Sequence, residues 1–279
     1  MSQSKKWDFL YYELSRFIHD FIKTWNRHFA HPFNWKYDGK KLYGQAVRRL
    51  VTHILIENKH MELSFLSGQI ELILNLKEVS MAYSDFKTLE QVHKKLGITI
   101  QDANGLYTHI EPVKLTDWFV ETMEMAYPKA IRINTESARQ ALIVDNVFME
   151  LNRHIHISFF LHNTFNVDDS KGLTGNPDGI ISQSGNQLYI TCPVIVLVEA
   201  KKSDLGSGLG QCIAEMEGAR IFNEREGNSI SPVYGVVTDG VLWQFLTLQD
   251  AVVTIDSYLY SFEDGSKIVG ILHSFILET

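Results

Sequence analysis

The sequence predicts an α/β protein, a mixed central β-sheet flanked by helices, with an additional mainly helical region at the N-terminus. Two apolar runs of strand length, Val194 to Val198 and Val233 to Thr238, have no alternation, the pattern of strands buried on both faces. The stretch between them, Gly208 to Asn223, reads as a helix, so strand, helix and strand follow in order. Near the N-terminus, Trp7, Leu10, Leu14, Phe17, Ile18, Phe21 and Trp25 recur at three- and four-residue intervals, one apolar face of a helix.

Taken in order, that first helix ends at His31-Pro32. A second covers Leu42 to Glu57, with Ala46, Val47, Leu50, Val51, Ile54 and Leu55 on one face. Met61 to Lys77 fits either a helix or a strand. Phe86 to Leu96 reads as a short helix capped by Gly97. A polar connection through Asn104-Gly105 and Pro112 leads to a helical segment from Thr116 to Met125, and Tyr127-Pro128 reads as a break. Asn134 or Thr135 then caps a helix carrying Ala138, Ala141, Leu142, Val147, Phe148 and Leu151. His156 to Phe165 and Asp178 to Ser182 are further strands, and Asp239-Gly240 turns the last buried strand into a hairpin partner, Val241 to Leu246. The expected organisation is therefore a mainly helical N-terminal region over 1–80, a helical connector over 81–128 and an α/β domain over 129–279.

A chain of 279 residues, 45% hydrophobic and 21% charged, buries a core without metal or disulfide staples. Its two cysteines, Cys192 and Cys212, sit in apolar runs, as reduced thiols do, which points to a cytoplasmic location. The N-terminal aromatic residues are interrupted by Asp8, Glu13 and Arg16, unlike a signal peptide, and no stretch is long and apolar enough to predict a membrane span. The net charge of −7 runs against nucleic-acid binding, which rests on Lys and Arg, although a carboxylate metal site adds negative charge that its cation offsets.

The residues that point to chemistry are Pro177-Asp178 and, some twenty positions on, Glu199-Ala200-Lys201. Asp178 opens one strand and Glu199 ends a buried neighbour, so both carboxylates can meet one hard cation, Mg²⁺ or Mn²⁺, with the Ala200 carbonyl as a third ligand. Glu199 and Lys201 are two apart and share a strand face, which puts an ammonium beside the cation, where it favours hydroxide or neutralises charge building on a phosphate.

The ordered set Glu136-x-x-Arg139, Asn176-Pro177-Asp178-Gly179, Val198-Glu199-Ala200-Lys201-Lys202 and Gln211 resembles the PD-(D/E)xK, restriction endonuclease-like nuclease superfamily. It is most similar to the nuclease domain of type I restriction-enzyme R subunits and small stand-alone relatives. Val237-Thr238-Asp239-Gly240-Val-Leu-Trp243 resembles their late Thr-Asn-Gly-x-x-Trp hairpin, and the likeness spans roughly residues 134 to 247. The resemblance implies that Asp178 and Glu199 bind metal, that Lys201 activates water or stabilises charge, and that Glu136 binds or orients a second metal or its water. It also implies that Gln211 supports the site as the Gln of a Q-x-x-x-Y motif. Here position 215 is Glu where that motif has Tyr, and Asp239 replaces the hairpin Asn.

Blander readings stand beside these. Glu199 and Lys201 can be a solvated strand end paired with Lys202 or Asp204, and Glu136 an acid favoured by the helix dipole. Gly206-Ser-Gly208-Leu-Gly210 fits neither glycine template for nucleotides, but suits flexibility beside a substrate channel. His154, His156 and His162 share a face by parity without further zinc ligands. The first aromatic helix is packing or a dimer surface. The expected function is metal-dependent phosphodiester hydrolysis, with DNA as the nucleic-acid substrate by analogy. The alternatives are an inactive nuclease-fold binding or regulatory protein, or a subunit whose partner supplies specificity. A homodimer is compatible with any of them.

Overall fold

Among the described residues eight strands, β1 (Thr99–Ala103), β2 (Ser158–Leu161), β3 (Gly179–Ser182), β4 (Val194–Ala200), β5 (Val233–Thr238), β6 (Leu242–Gln249), β7 (Val252–Asp256) and β8 (Tyr260–Ser261), form one mixed sheet in the order β1-β7-β6-β5-β4-β3-β2, with β8 pairing β6. The structure is a computed structural model that describes residues 81–201, 204–228 and 230–277. The two helices expected in 1–80, and the ambiguous run after them, lie outside the described residues. Lys77–Thr279 make up one compact unit.

The chain enters through α1 (Leu89–Leu96), where Thr88 and Gln91 cap each other reciprocally and Gly97, at φ 72°, closes the end as expected. Edge strand β1 (Thr99–Ala103) follows, in a stretch whose Asn104-Gly105 suggested only a connection; it pairs in parallel with β7 (Val252–Asp256). The segment 81–128 thus supplies a strand to the same sheet as the rest. Helix α2 (Asp117–Ile133) runs through Pro128 rather than breaking there. The stripe Phe119, Met123, Ala126 and Ala130 buries one face along its whole length, and that burial outweighs the hydrogen bond that the proline removes.

Asn134 ends α2 in the left-handed region, and Thr135 caps the next helix, so the two candidate caps serve two different helices. That next helix comprises α3 (Glu136–Arg139), a π-helical turn (Gln140–Val144) and α4 (Asp145–His154). Strand β2 (Ser158–Leu161) is shorter than expected because His162 takes φ 52° and turns the chain out of the strand. Strands β3 (Gly179–Ser182) and β4 (Val194–Ala200) are antiparallel, helix α5 (Gly206–Arg225) crosses over, and β5 (Val233–Thr238) returns parallel to β4. The expected hairpin forms between β5 and β6 (Leu242–Gln249). Beyond it, where no pattern assigned an element, the chain adds β7, β8 (Tyr260–Ser261) and α6 (Gly265–Leu277).

Helices α2, α4 and α6 and the π turn cover one sheet face, where Val147, Phe148, Val196, Val236, Phe245 and Phe275 share a core. Helices α1 and α5 cover the other, around Val92, Ile180, Leu197, Ile213 and Val237. Along β4 the faces alternate, so Leu197 packs under α5 and Val196 and Val198 under the opposite helices. Glu199, in phase with Leu197, therefore emerges on the α5 side.

Candidate active site at the ends of β3 and β4

Pairing register brings the two acids together. Gly179 lies opposite Val198 in the antiparallel β3–β4 ladder, and one step outward the same register sets Asp178 opposite Glu199. Side chains directly opposite on an antiparallel pair share a face at a Cβ separation of about 5 Å. Asp178 Oδ2 is fixed by the Ala200 amide at 2.8 Å. In an extended strand a residue's amide and carbonyl project to the same edge, so the Ala200 carbonyl also faces the Asp178 side.

Glu199 is only 2% exposed, which removes the solvated strand-end reading. Its Oε1 accepts a hydrogen bond from Lys201 Nζ, and its Oε2 accepts one from Gln211 Nε2 at 2.7 Å. Burial first, and then the charge of Asp178, pushes the Glu199 carboxyl up to about 7, with Lys201 pulling the other way. Burial also works against the Lys201 charge, but Glu199, Asp178 and Glu136 outweigh it and raise the ammonium above its ordinary value. Lys201 thus stays a cation at neutral pH, beside two acids.

The glycine-rich segment opens α5 and serves close packing. A Cβ on Gly208 would stand 2.8 Å from Val237 Cγ1 and 3.1 Å from Lys201 Cγ, so glycine lets the lysine stem lie along the helix. Gln211, one turn on, reaches both Glu199 and Glu215 Oε1, the latter at 3.0 Å. Glu215 is fully buried; burial, and next the charge of Glu199, holds its carboxyl well above the ordinary carboxylate range. Glu215 is therefore in contact with Gln211.

Glu136 is the first residue of α3 and exposed; its charge reaches Lys201, but among the described residues it joins none of these hydrogen bonds. Arg139 is structural: Nη1 donates to Asp239 Oδ2 at 2.9 Å, while Asp239 Oδ1 accepts from the amides of Val241 and Leu242. Asp239 thus both closes the turn and holds the α3 helix. The three histidines do not converge, since His154 bonds Glu150 and His162 Nδ1 lies 3.3 Å from Asp178 Oδ1.

Two neighbours of Asp178 were not assigned to the site from the sequence: His162, read only as one of three histidines sharing a face, and Asp145. His162 sits at the mouth beside Asp178, which raises its pKa by that hydrogen bond against burial. Asp145, placed by the π turn and held by Gln140 Nε2 at 2.9 Å, feels both His162 and Asp178; burial is what chiefly raises it. A charged residue in the apolar run Leu142-Ile143-Val144-Asp145 was the available signal, but π turns shift helical phase by one residue and hide which face it takes.

Two facing carboxylates and a backbone carbonyl suit a hard divalent cation such as Mg²⁺, which is commonly held by one or two carboxylates plus waters. Among the described residues no three His, Cys, Asp or Glu side chains gather into a metal-binding group, so the carbonyl is the natural third protein ligand. No model of a known protein family matches the chain, and no curated protein matches it.

Proposed function

We propose that this chain is a metal-dependent nuclease of the PD-(D/E)xK, restriction endonuclease-like class, hydrolysing phosphodiester bonds of DNA. The observation that carries the reading is the convergence of Asp178, Glu199 and Lys201 at the open ends of two adjacent strands, backed by Gln211. The order of elements around it, helix, three antiparallel strands, crossover helix and parallel strand, supports the same class. Asp178, Glu199 and the Ala200 carbonyl would hold Mg²⁺ or Mn²⁺. The cation supplies Lewis-acid polarisation of the phosphate and acidifies water.

The protein's own contribution is orientation and charge. Gln211 and Lys201 fix both oxygens of Glu199, and the Ala200 amide fixes one oxygen of Asp178, so little reorganisation is needed at the reacting phosphate. Lys201, held beside Glu199, would set its ammonium against charge developing on the phosphate. Glu136 and His162 border this centre, where Glu136 would serve a second cation or its water and His162 would meet substrate.

A specific observation favours a second reading, an inactive nuclease-fold binding or regulatory protein: Glu215 adds a buried acid directly behind Glu199. Cleavage of supercoiled and single-stranded DNA with Mg²⁺ or Mn²⁺, with calorimetric Mn²⁺ titration of the same samples, separates the two. Turnover that falls on the order of a thousandfold in Asp178→Ala supports the nuclease. Mn²⁺ binding without cutting by the native chain supports the binding role or a missing partner subunit.

A further inference from the structure

One acceptor in the π turn has no donor. Gln140 Oε1, on a side chain only 4% exposed, is met by no hydrogen bond among the described residues. A buried amide oxygen left bare is costly, and in a native fold it marks a place where a water or an ion supplies the contact. The other end of the same planar group shows its neighbour: Nε2 donates to Asp145 Oδ1 at 2.9 Å, so the bare oxygen lies beside that carboxylate. Exchanging oxygen and nitrogen would set two acceptors against each other, so the bond to Asp145 fixes which atom is bare.

Packing places this pair at the open strand ends. Phe148, three residues after Asp145, lies against Gly179, where a Cβ would stand 2.8 Å from its ring. Ile143, two residues before Asp145, lies against Gly240 just past β5, where a Cβ would stand 3.2 Å from its Cδ1. The helix is thus pinned over the mouth on both sides of Asp145, by a π turn of the kind that recurs at functional sites. Asp145 thereby comes under the charges of His162 and Asp178. These surroundings are rich in oxygen and poor in donors. Asp178 Oδ2 takes the Ala200 amide, while Oδ1 has the His162 ring at 3.3 Å.

We propose that Gln140 Oε1, Asp145 and Asp178 hold a second divalent cation, beside the one assigned to Asp178, Glu199 and the Ala200 carbonyl. Hard cations accept carboxylate and amide oxygens, and those of the Mg²⁺ type keep several waters, so three protein oxygens suffice. The bond from Nε2 to Asp145 keeps the amide from turning its nitrogen toward the cation. Asp178 is the ligand that the two cations share, as suits a pair that clamps the attacking and leaving oxygens of a phosphodiester. Glu136, one helical turn before Gln140 and exposed, is left to the water of the second cation. This second site rests on the nuclease reading, whose Asp178 it shares.

The test is calorimetric titration of the full chain with Mn²⁺, counting equivalents bound by native, Asp145→Asn and Gln140→Leu. The native chain should bind two. Each variant should keep the first and bind the second at least about tenfold more weakly, the loss that follows removal of a group that holds or orients a metal. A native chain that binds one equivalent alone, or a second equivalent of native affinity in Asp145→Asn, overturns the second site and leaves the nuclease reading standing, with water on Gln140. Should Asp145→Asn not fold, Gln140→Leu decides by the same criterion. A native chain that binds no Mn²⁺ overturns the nuclease reading and the second site together.

Discussion

Two kinds of buried acid coexist in this fold, and their surroundings differ. Glu150 and Asp256 are fully buried with their oxygens met by donors. Glu150 accepts from the Thr116 amide at 2.7 Å, the Thr116 hydroxyl at 2.6 Å and His154 at 3.0 Å. Asp256 accepts from the amides of Gly105 and Tyr258 and from the Tyr260 hydroxyl. Glu199 and Glu215 are buried too, but they face each other and Asp178. Acids ringed by donors hold the fold together, whereas acids set against acids work against it and persist where a cation or a substrate needs them.

The largest stability effect expected from this contrast is at Glu150. Glu150→Gln removes charged acceptors for Thr116 and His154 and should lower unfolding free energy by about 2–3 kcal/mol, read from urea midpoints. The same residue gives a pH dependence. Burial pushes the Glu150 carboxyl up, but the two Thr116 bonds and His154 outweigh it and leave it below its ordinary value. A depressed folded pKa stabilises above the unfolded value and loses that stabilisation as pH falls through the folded one. The gap between native and Glu150→Gln should therefore be widest near neutrality and close in acid; a gap that widens in acid would break the contrast.

A smaller and opposite effect is expected at Glu215. Replacing an acid set among acids by an apolar side chain of similar size, as in Glu215→Leu, should leave stability unchanged or raise it by about 1 kcal/mol. A loss as large as that of Glu150→Gln would place Glu215 among the structural acids. Smallest of all is the exposed pair Lys94 and Glu90 on α1, where Lys94→Ala should change stability by less than about 0.5 kcal/mol.

What was legible in the sequence follows the same division. Strands β4 and β5, α5 and the β5–β6 hairpin were readable because unbroken apolar runs and an Asp-Gly turn leave little choice of structure. So were Glu199 and Lys201, because a register of two along a strand fixes their common face, and Asp178, at the start of a neighbouring strand; Gln211, on a helix, entered only through the resemblance. Edge strand β1, with two of its five residues partly covered and the rest exposed, carries almost no hydrophobic signal. The proline in α2 misled because tertiary burial of Ala126 and Ala130 overrides the local rule. Asp145 was illegible for a different reason, since it is re-aimed by a π turn.

The most direct test of the central claim separates binding from chemistry at Lys201. Its ammonium is assigned to charge on the reacting phosphate, with no place among the metal ligands. Lys201→Ala should therefore still bind Mn²⁺, yet cut supercoiled DNA on the order of a hundredfold or more slowly. A Lys201→Ala protein that cuts at the native rate would contradict the account.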